Sequence, residues 1–307
     1  MPVLAALARG WNRLSPTPRG ALWMLCACAA FACMGVTARY LTRFLPPEEL
    51  VFFRNALALA WMLPWVLRVG VVGLRTRHFG MYVGRSILAF VSMFCWFSAL
   101  VTLPLAEAIA LGFTQPLFAT VLAVVLLGEV VRLRRWTATI LGFLGAMVIL
   151  RPGLEEVTLA HLLVLFSSAT GAITSVVVKR LTRTEDPSTI VTYMTLLATP
   201  LALVVAVPGW VWPDAATWFW LVALGLLGTI GHQAVTRAIG HLDASLVAPL
   251  DFMRLPMAAA LAWLAFGEVP DIWTWIGGAM IGAASVYIAH REAQLARQRL
   301  ASDRESR

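Results

Sequence analysis

Four charged side chains lie inside long apolar runs of this 307-residue chain, and their types indicate binding chemistry. They are Arg54, Arg85, Asp251 and Arg254. A guanidinium presents a fixed planar fork of donors that fits a carboxylate or a phosphate. If the runs cross a lipid bilayer, each charge at mid-depth costs about 2.5–3.5 kcal/mol unless it faces a cavity or a partner. The four residues are therefore candidates for substrate binding or ion coupling.

Arg85 shares one face of its predicted helix with Ser92 and Trp96, at spacings of seven and four residues. Such a stripe could hold an anionic group on Arg85 and stack a ring on Trp96. The alternative is an arginine that reaches the lipid headgroups, with Trp96 as a packing residue. Trp96 falls in the middle of its run, which favours the cavity for that residue.

Arg54 and Glu107 each lie near the end of an apolar run. Arg54 is expected either to contact substrate or, as the favoured interpretation, to close the outer face as a gate or as a member of a structural ion pair, with Glu48 or Glu49 as the candidate partner. Glu107 is either a headgroup-level acid or a coupling residue. His232 is expected to be a packed, hydrogen-bonded histidine rather than a proton carrier.

The composition excludes a soluble protein and places the chain in a membrane. Hydrophobic residues make up 60% of the chain and charged residues 13%, whereas about a quarter of a soluble domain is charged. The net charge of +8 comes from basic residues in short segments between apolar runs, which is typical of membrane topology and not of nucleic-acid binding. The four cysteines lie in apolar runs without zinc spacing, so no metal or other cofactor is expected.

Ten apolar runs approach the roughly 20 residues that a helix needs to cross a hydrocarbon core of about 30 Å. They lie near residues 20–38, 48–67, 79–100, 103–127, 135–151, 159–178, 188–207, 216–236, 244–266 and 271–289. With both termini in the cytoplasm, 18 of the 24 Lys and Arg residues fall on the cytoplasmic side and three in outer loops. This bias predicts an even number of spans and an inner-membrane protein.

The chain matches itself at an offset of 139 or 140 residues, with charged and tryptophan anchors. The anchors are residues 39–43 with 179–183, Gly128-Glu129 with Gly267-Glu268, and Trp136 with Trp275. Each copy holds five spans, an odd number, so the second copy must enter the membrane in the opposite orientation. Inverted repeats of this kind are a recurrent plan for transporters that exchange inward-open and outward-open shapes around a central site.

The repeat register brings Asp251 and Arg254 opposite Gly112 and Gln115. Asp251 and Arg254 stand three residues apart and can pair along one helix face, and this structural pairing is slightly favoured over a role in substrate or proton binding. Three buried arginines against Asp251 and Glu107 leave an excess positive charge. The predicted substrate is therefore an organic anion or zwitterion rather than a lone cation.

Prolines inside the runs are candidates for hinges, because each removes a backbone donor and can kink a helix. Pro116 and Pro256 fall one residue apart in repeat register, on the fourth and ninth spans. Both are therefore expected to be hinge or cavity-shaping residues.

Several short motifs resemble the drug/metabolite transporter superfamily, specifically its EamA family. They are Phe53-Arg54, Leu103-Pro104-Leu105-Ala106-Glu107-Ala108, Gln115-Pro116-Leu117-Phe118, Gly128-Glu129, Arg151-Pro152-Gly153 and Leu264-Ala265-Phe266-Gly267-Glu268. The resemblance covers roughly residues 20–290. It implies a central cavity among spans one to four and six to nine, with the fifth and tenth as supports. It also implies a substrate among amino acids, purine or vitamin-like metabolites, or S-adenosylmethionine.

The prediction is an all-α membrane protein of ten transmembrane helices in two inverted five-helix repeats, with both termini cytoplasmic. Its parts are a segment 1–19, a first repeat 20–151, a second repeat 159–290 and a basic tail 291–307. The expected function is secondary active transport of a small organic metabolite by alternating access, with proton coupling through Asp251 or Glu107 as a hypothesis.

Two alternatives remain open at this point: a membrane scaffold or interaction protein without transport, and an integral-membrane enzyme. The enzyme would need a metal triad or a nucleophile with a base, and the sequence shows neither. The expected partners are the small-molecule substrate and the lipid bilayer, with homodimerisation left open and no nucleic acid.

Overall fold

The computed structural model describes most of the chain, and the described part is built from helices. It covers residues 16–69, 76, 78–127, 133–153, 156–181, 185, 187–242 and 244–305. The α-helices are α1 (Pro16–Leu41), α2 (Pro47–Val69), α3 (Phe79–Ala99), α4 (Leu105–Gly112), α5 (Gln115–Leu127), α6 (Leu133–Leu150), α7 (Leu159–Leu181), α8 (Pro187–Ala206), α9 (Ala215–Ile239), α10 (Ala244–Asp251), α11 (Arg254–Phe266) and α12 (Ile272–Glu305). A short 3-10 turn, Val207–Gly209, follows α8.

Seven segments in the described residues are long and apolar enough to cross a membrane. They are Thr17–Leu41, Phe79–Ala99, Leu105–Leu122, Leu159–Val178, Thr192–Gly209, Ala215–Ala238 and Ile272–His290. A shorter apolar helix spans Trp136–Leu150. The all-helical prediction is thus confirmed, and the prediction of ten crossings is taken up with the proposed function.

Local sequence signals set several helix ends. Pro47 opens α2 with Glu48 and Glu49 in the first turn, where acidic side chains complement the helix dipole. Asp214 caps α9 by accepting a hydrogen bond from the Thr217 backbone N–H at 2.8 Å. Hydrogen bonds from Thr217 lower the pKa of the Asp214 carboxyl, which keeps this cap ionised.

The last helix is longer than the sequence predicted. The predicted basic tail, 291–307, continues α12 as far as Glu305. The segment 291–305 contains neither Gly nor Pro and is rich in Arg, Glu, Gln, Ala and Leu, all good helix formers.

Two helices that the sequence predicted as continuous are each broken in the middle. The predicted span 103–127 is the pair α4 and α5, and the predicted span 244–266 is the pair α10 and α11. Each of the four helix bounds in the second pair lies 139 positions after its counterpart in the first. The breaks, at residues 113–114 and 252–253, therefore occupy the same place in the sequence repeat.

Packing between helices also follows the repeat. The helix α1 packs on α9, and its repeat counterpart α7 packs on α3, the counterpart of α9. The contacts of α2 with α9 and of α8 with α3 are related in the same way, as are those of α1 with α11 and of α7 with α5. Each half thus buries its apolar surface mainly against the other half.

Large apolar side chains cover much of the outer surface, which fits a lipid surrounding and not water. Examples are Val125, Leu133, Phe219 and Leu264, each more than two-thirds exposed. The molecule is a multi-pass membrane protein by this surface and by its apolar helices.

Two glycines allow α6 and α12 to pack closely. A Cβ at Gly145 would lie 2.8 Å from the carbonyl oxygen of Gly277 and 2.9 Å from Cβ of Met280. Small residues at a contact let helix backbones approach, which is how helices associate in lipid. A larger residue at position 145 would force the two helices apart.

We expect Gly145→Ala to lower the free energy of unfolding by about 1–3 kcal/mol, because the added methyl group has no room. Thermal unfolding of the purified protein in detergent measures the change. Gly84→Ala is the matched control, since a Cβ there has no neighbour within 4 Å. Equal unfolding midpoints for the two variants would contradict this account of the α6–α12 contact.

Candidate functional site

A cavity of about 510 Å³ lies among helices from both halves of the chain. Its walls include residues of α1, α2, α3, α4, α5, α7, α8, α9 and α11, and none of its lining residues comes from the described parts of α6 or α12. Five of the seven predicted site residues line it: Arg54, Arg85, Trp96, Gln115 and Arg254. A volume of this size suits a single small metabolite.

The two helix breaks meet at this cavity. Phe113 in the first break and Phe252 in the second have ring centroids 5.1 Å apart, and they occupy equivalent positions of the repeat. The Arg254 guanidinium lies over the Phe113 ring, with Cζ 5.1 Å from the centroid, and also over Phe31 at 5.8 Å. The two breaks thus contact each other through residues at equivalent positions of the sequence repeat.

Proline explains why each helix breaks where it does. Pro116 has no N–H to donate to the Gly112 carbonyl four residues earlier, and Pro256 has none for Phe252. Both prolines fall in the first turn of the helix that follows a break, where the missing donor is tolerated. The sequence predicted hinges within continuous helices. The structure instead starts a new helix at each site, and hinge motion there stays a prediction.

Side chains from other helices satisfy the carbonyl groups that the breaks release. Ser168 donates to the Gly112 oxygen at 3.4 Å, and Ser285 donates to the Phe113 oxygen at 3.3 Å. At the second break, Cys28 donates to the carbonyl oxygens of residues 250 and 251 at 3.4 and 3.7 Å. Away from water such groups need partners within the protein. These three residues were not singled out from the sequence, because single hydroxyl and thiol groups are common in apolar helices.

Arg85 is buried in the wall of the first cavity. Its side chain is 6% exposed and lines the cavity, so it does not reach the lipid headgroups. Its Nε and Nη1 atoms are buried and have no hydrogen-bond partner among the described residues. A bound group with two acceptor atoms could accept a hydrogen bond from each of these two nitrogen atoms.

Arg54 departs from the favoured prediction of an ion pair with Glu48 or Glu49. The structure shows no such pair: Arg54 donates to Asn55 Oδ1 at 3.2 Å, and Glu49 accepts from the Val211 backbone N–H at 2.6 Å. Residues five positions apart on a helix point about 140° away from each other, which separates Glu49 from Arg54. The Arg54 side chain is 3% exposed and packs against the bare backbone of Gly228.

Trp96 and Gln115 form part of the wall beside the first break. A Cβ at Gly112 would lie 3.2 Å from Trp96 Cζ3, so the absence of a side chain at Gly112 makes room for the indole. Gln115 donates from Nε2 to Ser175 Oγ at 3.1 Å. Ser92, predicted to share a helix face with Arg85 and Trp96, lines the cavity with them and also donates to the Ser167 carbonyl oxygen at 2.9 Å, which ties α3 to α7.

The two acidic candidates both have basic partners. Asp251 Oδ2 accepts from Arg254 Nη2 at 3.2 Å, with both side chains 28% exposed. Glu107 Oε1 lies 2.9 Å from His161 Nε2. Neither acid is among the cavity-lining residues, so the coupling role predicted for them stays a prediction.

A second cavity of about 350 Å³ adjoins the first, and the two share Arg54, Met194 and His232. The second also reaches Gln233 and Arg237. His232 was expected to be a packing residue. It does pack edge-to-face on Phe31, with ring centroids 5.2 Å apart, but its side chain also faces both cavities.

An ion pair closes the bundle near the ends of α1 and α11. Arg39 and Glu268 approach to 2.6 Å, and Arg39 also donates to the carbonyl oxygens of Leu100 and Leu103. Glu268 also accepts from the Leu105 backbone N–H at 3.2 Å. Glu129, its counterpart in the repeat, lies outside the described residues.

We expect Ser168→Ala to lower the free energy of unfolding by about 1 kcal/mol, because the Gly112 carbonyl at the first break would lose its donor. Thr199→Val is the control, since the Thr199 hydroxyl donates within its own helix to the Thr195 carbonyl oxygen and lies outside both cavity linings. Thermal unfolding of both variants in detergent decides the matter. A Ser168→Ala protein as stable as Thr199→Val would show that this donor is not needed.

Comparison with known proteins identifies the family and the fold of the chain. The model of the EamA-like transporter family matches residues 18–151 and 158–289. A riboflavin transporter of Vibrio cholerae is 37% identical over 285 residues, which cover 91% of this chain and 96% of that protein. A riboflavin transporter of Rhizobium johnstonii is 35% identical, with 89% and 91% covered. An S-adenosylmethionine uptake transporter of Rickettsia prowazekii is 28% identical, with 89% and 93% covered.

One solved crystal structure superposes on this chain with a TM-score of 0.63. It is 21% identical in sequence, and the match covers 91% of this chain and 97% of the other. At that identity the likeness shows the fold alone.

Proposed function

We propose that this chain, which belongs to the EamA-like transporter family and is a secondary transporter of a small metabolite, carries riboflavin or a closely related flavin. The family and its named relatives are transporters and not enzymes, so the enzyme and scaffold alternatives fall away. The observation that carries the proposal is one cavity with an aromatic wall and unpaired arginine donors, in a chain similar to riboflavin transporters.

The aromatic wall suits the flat, apolar ring system of a flavin. Trp96 and Phe31 both line the cavity, and the Arg254 guanidinium lies over the Phe31 ring. Offset stacking on an indole contributes about 0.5–1.5 kcal/mol beyond the area buried. The pyrimidine edge of a flavin carries carbonyl oxygens and ring nitrogens as acceptors, which match the buried Nε of Arg254, a donor with no partner among the described residues.

A row of small polar side chains on α7 suits the sugar-alcohol chain of a flavin. Ser167, Ser168, Thr174 and Ser175 all line the cavity. Hydroxyl groups can donate and accept at once, so a polyol chain can replace or share their hydrogen bonds. This wall lies on the helix that also donates to the first break.

The charge of the cavity disfavours S-adenosylmethionine, the substrate named for other relatives. Its sulfonium is a cation, and the described lining contains three arginines and no aspartate or glutamate. Repulsion in a site of low dielectric would oppose its binding. Riboflavin is neutral and meets no such penalty.

The proposed architecture is ten spans in two inverted repeats, with both termini cytoplasmic and the chain in the inner membrane. The identical offsets of the broken helices and the repeat-related packing support it, as does the distribution of Lys and Arg. Alternating access would then exchange the two halves around the breaks. Homodimerisation stays a prediction, which light scattering of the purified protein would decide.

Expression in a riboflavin-requiring bacterium tests the substrate directly. We expect growth at low external riboflavin only when the chain is expressed. Counterflow of labelled riboflavin in liposomes that contain the purified protein provides the same test without the cell. Failure of riboflavin to exchange in liposomes, with correctly folded protein, would overturn the flavin proposal.

We expect Trp96→Ala to weaken riboflavin binding about tenfold or more, because it removes the stacking surface. Quenching of flavin fluorescence by the purified protein measures the affinity. Trp263→Ala is the matched control, because Trp263 is 58% exposed on α11 and away from the cavity. Equal losses in both variants would place the flavin elsewhere.

Proton coupling through Asp251 or Glu107 is part of the same proposal. A carboxylate that alternates between a basic partner and a proton can link transport to a pH gradient. We expect Asp251→Asn or Glu107→Gln to abolish the response of uptake to an imposed pH gradient and to retain counterflow at equal pH. Asp271→Asn is the control, since Asp271 pairs with Arg151 on the outer surface. Wild-type flux that ignores the gradient would exclude coupling.

A further inference from the structure

The two cavities join where Arg54, Met194 and His232 line both of them. The positive charge at this junction exceeds what a neutral flavin can balance. Arg54 lines both cavities and Arg85 lines the first, and both side chains are more than nine-tenths buried. Neither forms an ion pair among the described residues. Arginine stays charged even when it is buried, so these two charges require an anion from outside the protein.

The second cavity extends the same basic surface. Its described lining contains Arg54, His232 and Arg237 and no acidic residue. The described lining of the first cavity likewise contains no acidic residue, and Asp251 already pairs with Arg254. A basic path with no acid on its wall therefore leads from Arg237 to the junction.

We infer that Arg54 and Arg85 form a subsite for a phosphate group at the junction of the two cavities. Two uncompensated guanidinium groups match the charge of about −1.5 to −2 that a phosphate monoester carries at neutral pH. Its three terminal oxygens can accept from both forks at once. The phosphate comes either from a flavin phosphorylated on its sugar-alcohol chain or from free inorganic phosphate.

The inference rests on the proposed flavin site for the position of the ring, but the phosphate contact is testable without a flavin. Inorganic phosphate is titrated into the purified protein at constant ionic strength, and the thermal unfolding midpoint is followed. A ligand that binds the folded state raises the midpoint. We expect a rise in the wild type and in Arg43→Gln, whose arginine is exposed at the outer end, and no rise in Arg85→Gln.

A second measurement compares riboflavin with riboflavin phosphate by fluorescence quenching. If the phosphate belongs to the substrate, riboflavin phosphate binds about tenfold to a hundredfold tighter, and Arg85→Gln removes the difference. If the phosphate is free, inorganic phosphate raises the midpoint while the two flavins bind equally. Arg85→Lys keeps the charge without the fork and is expected to retain part of either effect. It also serves as the folded variant if Arg85→Gln unfolds.

Two results overturn the subsite. One is a wild-type protein that responds to neither inorganic phosphate nor the phosphate of the flavin. The other is a midpoint rise of wild-type size in both Arg85→Gln and Arg54→Gln. Lack of riboflavin binding alone would instead contradict the flavin proposal, and the midpoint shift with inorganic phosphate would still decide the subsite.

Discussion

Backbone hydrogen bonding in an apolar surrounding is the constraint on which this structure depends. A helix satisfies its own N–H and carbonyl groups, so any break within a membrane must find partners elsewhere in the protein. Ser168, Ser285 and Cys28 supply those partners at the two breaks. They come from α7, α12 and α1, so the breaks can exist only where these helices are already packed around them. The central cavity is a consequence of that packing.

The repeat sets the frame of the site, and departures from the repeat give it its chemistry. At equivalent positions the first half has Gly112 and Gln115, and the second has Asp251 and Arg254. Gly112 leaves room for Trp96, whereas Arg254 extends from the second half over the Phe113 ring of the first. At these equivalent positions the first half therefore leaves room for an indole and the second places a guanidinium, although the backbones of the two halves match in register.

The sequence predicted much of this arrangement, and what it failed to predict has physical causes. Composition and run length indicated helices, and the constant offset indicated which residues meet at the centre, because both signals are repeated along the chain. An apolar run has the same composition whether its helix is continuous or broken, so the sequence did not predict the breaks. The pairing of Arg54 with Glu49 was wrong, because proximity in sequence outweighed helix geometry. The hydrogen bonds of Cys28 at the second break and of Ser168 to the Gly112 carbonyl depend on tertiary contacts, which no local sequence pattern encodes.

Charge is distributed differently at the ends of the bundle and at its centre. Near the ends the basic residues have acidic partners, as in Arg39 with Glu268 and Arg151 with Asp271. At the centre Arg54 and Arg85 have none among the described residues, although each costs about 2.5–3.5 kcal/mol at mid-depth. Stability alone would favour an apolar residue at both places. Since arginine is nevertheless present at both places, the two side chains are best explained by a ligand that binds them during transport.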